Sequence, residues 1–125
     1  MHDQKAWWSS REFRFIRIPK ALIDNILYKD LSADALLLYG LVLDRSCLSE
    51  KNSSYQNKRG VPFVIFTNEE IQAKLRCRHQ KASKVLRELE TAGLVAVDRK
   101  RKVSNANKIY VLPFTEAPPG RQDES

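Results

Sequence analysis

Two short amphipathic helices joined by a tight turn, the second stopped by a glycine and followed at once by two β-type runs around a basic tip, predict the fold class. It is α+β: a winged helix–turn–helix with a C-terminal β-hairpin wing. A length of 125 residues suits one core, and 30% charged with 42% hydrophobic residues is the composition of a folded chain. The third observation is electrostatic. The net charge is +7, and the segment from Arg76 to Lys108 holds ten Lys or Arg against Glu88, Glu90 and Asp98, so the remaining residues balance to zero. A polyanionic partner is the expectation.

The elements follow in chain order. Residues 1–12 read as an N-terminal arm, residues 13–114 as the domain and residues 115–125 as a flexible tail or linker. From Arg11 to Ile18 the residues Phe13, Phe15, Ile16 and Ile18 suggest a short strand ended by Pro19. Lys20 to Tyr28 places Leu22, Ile23, Ile26 and Leu27 at helical spacing. Ser32 caps a second helix whose body, Leu36 to Leu43, is apolar nearly all round, so it is either central or shared with a partner subunit. After the polar stretch Ser49 to Gly60, the run Val61 to Phe66 is β-type, with Pro62 marking an edge or an irregular start. Thr67 and Glu70 form a capping-box pattern that opens a short helix carrying Ile71 and Leu75 inward. The turn Arg76-Cys77-Arg78 leads to the longer helix His79 to Ala92, with Ala82, Val85, Leu86, Leu89 and Ala92 as one stripe and Gly93 as its left-handed stop. Leu94 to Val97 and Lys108 to Leu112 then make the hairpin.

On the helical wheel Gln80, Lys84 and Arg87 lie opposite the apolar stripe, with Lys81 and Ser83 on the flanks. These side chains can pair with base edges or neutralise phosphates, so the candidate recognition-helix residues are Arg78, His79, Gln80, Lys81, Ser83, Lys84 and Arg87. The candidate wing residues are Arg99, Lys100, Arg101, Lys102, Asn105, Asn107 and Lys108, suited to phosphate or minor-groove contact. An ordinary solvated basic face is the alternative for each cluster. Catalysis has little support: the four glycines are scattered, and Glu69 and Glu70 are explained by capping. No cofactor or metal is expected, since Cys47 and Cys77 are lone thiols and His79 has no ligand set at zinc spacing. No apolar run reaches the ~20 residues of a membrane span, and no signal peptide is evident, so a cytoplasmic location is expected.

The segment Phe15 to Arg45, FIRIPKALIDNILYKDLSADALLLYGLVLDR, resembles the opening of the replication initiator protein A (RepA) N-terminal family of Gram-positive plasmids. Leu48 to Asn52, Phe66 to Ile71, Arg78 to Ala82, Leu86 to Glu90 and Asn107 to Val111 continue the resemblance in the family's order. It implies a winged-helix domain that binds repeated sequences in a plasmid origin, usually as a dimer, to begin replication. The family pattern places the recognition helix at Arg78 to Arg87 and the wing at Arg99 to Lys108. The expected partners are double-stranded DNA, a second copy of the chain and host replication proteins. Two other readings stay open: a transcriptional regulator that binds an operator with the same helix and wing, and a winged helix that binds protein.

Overall fold

The computed structural model describes residues 6–9, 14–49, 56–99 and 106–113. Four α-helices occur among them: α1 (Ala21–Asp24), α2 (Ala33–Ser49), α3 (Asn68–Leu75) and α4 (His79–Thr91). Three strands, β1 (Val64–Thr67), β2 (Val95–Asp98) and β3 (Ala106–Val111), form an antiparallel sheet in the order β1-β3-β2. The hairpin register pairs Val95 with Val111 and Val97 with Ile109, while Val64 faces Ile109 from the other side. Leu38, Tyr39 and Val42 of α2, Ile71 of α3, Val85 and Leu89 of α4, and Phe66, Leu94 and Ile109 share one buried core. The architecture is that of a winged helix.

The expected strand before Pro19 does not form within residues 14–18, and its first residues lie outside those described. The extended chain crosses α2 instead. A Cβ on Gly40 would sit 3.0 Å from both Ile16 Cδ1 and Ile18 Cγ1, so the missing side chain is what lets the two isoleucines approach the helix. The expected continuous helix from Lys20 to Tyr28 is broken as well. After the single turn of α1, Asn25 is extended, and its buried side chain accepts from the Leu27 amide at 2.9 Å to start a 3-10 turn over Ile26–Tyr28. The break divides the apolar residues: Leu22 and Tyr28 are buried, whereas Ile23, Ile26 and Leu27 are 62%, 65% and 57% exposed.

Between the two readings of the apolar second helix, the fold places it centrally. Ala35, Leu38, Tyr39 and Val42 are fully enclosed, and within the apolar body Leu36 to Leu43 Leu37 is the one exposed side chain. The β-type run begins three residues later than its sequence suggests, with Pro62 in an isolated bridge to Gln56. Thr67 both ends β1 and caps α3: its hydroxyl accepts from the Glu70 amide at 3.0 Å, and the Glu70 carboxylate accepts from the Thr67 amide at 3.1 Å. Arg76 closes α3 in the left-handed region at φ 56°, and Gly93 stops α4 at φ 78°. Trp7 and Trp8, in a 3-10 turn over Trp7–Ser9, meet edge to face with centroids 5.7 Å apart.

Candidate nucleic-acid interface

Helix α4 buries Ala82, Val85, Leu86 and Leu89, the stripe read from the sequence with Ala92 half-buried at its end. Its outward row is therefore set by packing, and Gln80, Lys84 and Arg87 are all exposed. None of the three forms a hydrogen bond or ion pair with another described residue. Arg78 occupies the N-cap without a side-chain cap, and the first turn holds no acid, so the positive end of the helix dipole stays uncompensated.

Both flanks of α4 are held. On one side Lys81 bonds to Asp34 at 2.9 Å, and the Glu88 carboxylate accepts from the Ser32 amide at 3.0 Å and from its hydroxyl at 3.1 Å. The Asp34 bond and charge raise the Lys81 ammonium above its ordinary value. The same Ser32 hydroxyl accepts from the Ala35 amide at 3.1 Å, so the N-terminus of α2 is capped and tied to α4 by one residue. On the other side Asn68, the first residue of α3, donates its amide to Ser83 Oγ at 3.1 Å and accepts from the Gln72 amide. His79 Nδ1 lies 3.0 Å from the Asn68 carbonyl oxygen. Of the candidate recognition residues, Lys81, His79 and Ser83 are thus engaged within the protein, and Arg78, Gln80, Lys84 and Arg87 face outward.

The wing joins the far end of the helix. Arg99 makes a bidentate pair with Glu90 at 2.7 and 2.8 Å, which fixes the start of the hairpin tip to α4. That pairing holds the Glu90 carboxyl below its usual range and raises Arg99. Asn107 donates to the Phe66 carbonyl at 3.1 Å, and the Lys108 ammonium lies 4.4 Å from the Phe63 ring centroid. Lys100, Arg101, Lys102 and Asn105 lie outside the described residues. A trough of about 700 Å³ runs along the outer face of α4, walled by Gln80, Ser83, Lys84 and Arg87 on one side and by Leu27, Tyr28, Asp30 and Leu31 on the other. Sequence reasoning missed that second wall, and also Asn68, Gln72, Ser32 and Asp34 as supports. Local pattern explains Ser32 as a cap and Asp34 as helix polarity and gives Asn68 and Gln72 no role, so no signal pointed to contacts as distant as 56 residues.

No described helix is long and apolar enough to cross a membrane. No curated protein matches the chain in sequence. Among solved structures, a Rep protein in complex with DNA is similar at 30% identity and a TM-score of 0.70, over 90% of this chain and 86% of that one. The N-terminal domain of a DNA-binding protein matches at 26% identity and a TM-score of 0.72, over 99% of this chain and 94% of that one. An MDR initiator matches at 32% identity and a TM-score of 0.68, covering 90% and 89%. The family model for the replication initiator protein A (RepA) N-terminus matches residues 14–121, which carry every element from α1 to β3. This chain belongs to the replication initiator protein A (RepA) N-terminus family.

Proposed function

We propose that the chain is the origin-binding domain of a replication initiator, which inserts α4 into the major groove of repeated double-stranded sites and lays its wing along the adjacent backbone. One observation carries the assignment of the surface. Gln80, Lys84 and Arg87 form the single outward row of a helix whose other faces are packed or bonded to α2, α3 and the wing. Rigid support of the helix is what base readout requires, because a bidentate contact is lost by displacements of a fraction of a hydrogen-bond length. Arg76 and Arg78 flank the row in the exposed turn before α4, where they would meet phosphates.

In this reading the protein acts as a homodimer on paired half-sites and binds without doing covalent chemistry, and host replication proteins are the partners it would meet at the origin. Exposed Ile23, Ile26 and Leu27 supply the apolar surface that supports the dimer. The test is footprinting across the parent replicon at stated salt. Protection of repeated sites within the origin is expected. Protection confined to a promoter would favour an operator-binding regulator, and no protection anywhere would overturn the assignment.

A further inference from the structure

Asn68 stands where α3 meets α4, and both ends of its side-chain amide are engaged. Its nitrogen donates to Ser83 Oγ, and its oxygen faces both the Gln72 amide and His79 Nδ1, the latter at 3.0 Å. A carbonyl oxygen can only accept, so a neutral His79 in this contact must carry its proton on Nδ1. Nε2 is then a bare acceptor. Ser83 Oγ receives the Asn68 amide proton, so its own hydroxyl hydrogen must point elsewhere, and no described residue accepts it. Both His79 and Ser83 line the trough along α4, one helical turn apart.

We infer that Asn68 is a positioning residue that sets the hydrogen-bonding polarity of this edge of the recognition helix, presenting an acceptor at His79 Nε2 and a donor at Ser83 Oγ. The inference rests on α4 being the DNA-reading helix and names what this edge reads. An acceptor at His79 selects an amino group, N6 of adenine or N4 of cytosine, and rejects the O6 and O4 edges of guanine and thymine. A donor at Ser83 suits N7, O6, O4 or a phosphate at the neighbouring position. Asn68 itself touches no base in this arrangement, yet its replacement changes which base is preferred.

Long-range proton–nitrogen NMR on the labelled full chain at pH 8.5 reads the tautomer directly. A protonated Nδ1 and an unprotonated Nε2 at His79 are expected in the free protein, and the opposite pattern would overturn the inference. Asn68→Asp keeps an acceptor for His79 but removes the donor to Ser83. It should preserve the Nδ1–H signature while abolishing the preference at the Ser83 position in binding-site selection. His79→Ala should lose about tenfold discrimination for an amino-bearing base at one position. If Asn68→Ala melts like the parent and leaves both tautomer and base preference unchanged, Asn68 positions nothing. Failure of the underlying interface looks different: alanine at Gln80, Lys84 and Arg87 would leave DNA binding intact while the His79 tautomer remained Nδ1–H.

Discussion

At the residue scale, the polar and basic side chains of the recognition region divide by what already holds them. Lys81 and Arg99 are paired within the protein, whereas Gln80, Lys84 and Arg87 are not. Replacing one of the base-reading members of the outward row by alanine should cost about 1–3 kcal/mol on the specific duplex and much less on a scrambled one. Lys100 and Lys102 carry the opposite expectation: their loss should weaken all sequences alike and reduce the salt slope by about 0.9 for each phosphate contact removed. Titration of both sets on specific and scrambled duplexes at several salt concentrations separates the roles, and an inverted result would exchange them. The Glu90 carboxylate gives a pH prediction. Because Arg99 holds its folded-state value below the unfolded one, its contribution is present above the ordinary glutamate range, about 4.3, and is lost as pH falls below that range through the depressed value. Thermal melts from pH 7 downward should show a shallower acid decline in Glu90→Gln than in the parent. Parallel curves would show that the pair adds nothing to folding.

At the element scale, stability and binding meet in α4. Leu86 and Leu89 are buried in the stripe that seats the helix, so alanine at either should destabilise the domain by about 2–5 kcal/mol, read by denaturant titration. An unchanged midpoint would mean that these side chains do not seat α4 in the core. The extended segment before α1 makes a sharper claim. Gly40→Ala would push a methyl to 3.0 Å from the two isoleucine side chains and 3.4 Å from the Arg17 carbonyl, so the isoleucines must give way slightly. The expected cost is about 1–3 kcal/mol of overpacking. Hydrogen exchange should place that loosening at residues 14–18 and not in α4, since the atoms that would meet the added methyl belong to Ile16, Arg17 and Ile18.

At the scale of the whole molecule, a domain with its core complete still leaves Ile23, Ile26 and Leu27 in water. For the proposed dimer, Ile26→Asp should shift sedimentation toward monomer at micromolar concentration. Half-site cooperativity should then weaken, with little loss of affinity for a single half-site. Half-sites spaced by about one helical turn of DNA, or a multiple, are expected from a two-fold assembly. A parent protein that sediments as monomer both free and on DNA would remove the dimer from the proposal. Net charge acts at this scale too: the whole excess of +7 falls between Arg76 and Lys108 in the sequence, and such an excess would draw the domain toward a polyanion before any base is read.

What the sequence determined alone was everything whose cause is local. The 3.6-residue stripe of α4, the Thr67–Glu70 capping box, the glycine stop at Gly93 and the paired β-type runs each follow from a handful of adjacent residues, and each stands in the fold. So does the outward row of Gln80, Lys84 and Arg87, because a buried stripe fixes its own opposite. Tertiary structure decided what depends on residues far apart in the chain. Phe15, Ile16 and Ile18 have the composition of a strand, but Gly40 offers the two isoleucines a helix surface, and residues 14–18 pair with none of the three strands. Helical spacing from Leu22 to Leu27 could not reveal that burial of Asn25 would bend the chain there. Nor could pattern alone show that Asp34, Glu90 and Asn68 would engage Lys81, Arg99, His79 and Ser83. Charge and residue type say what a side chain can bind, but competition from its folded neighbours decides which of them, and which of their atoms, remain free to bind it.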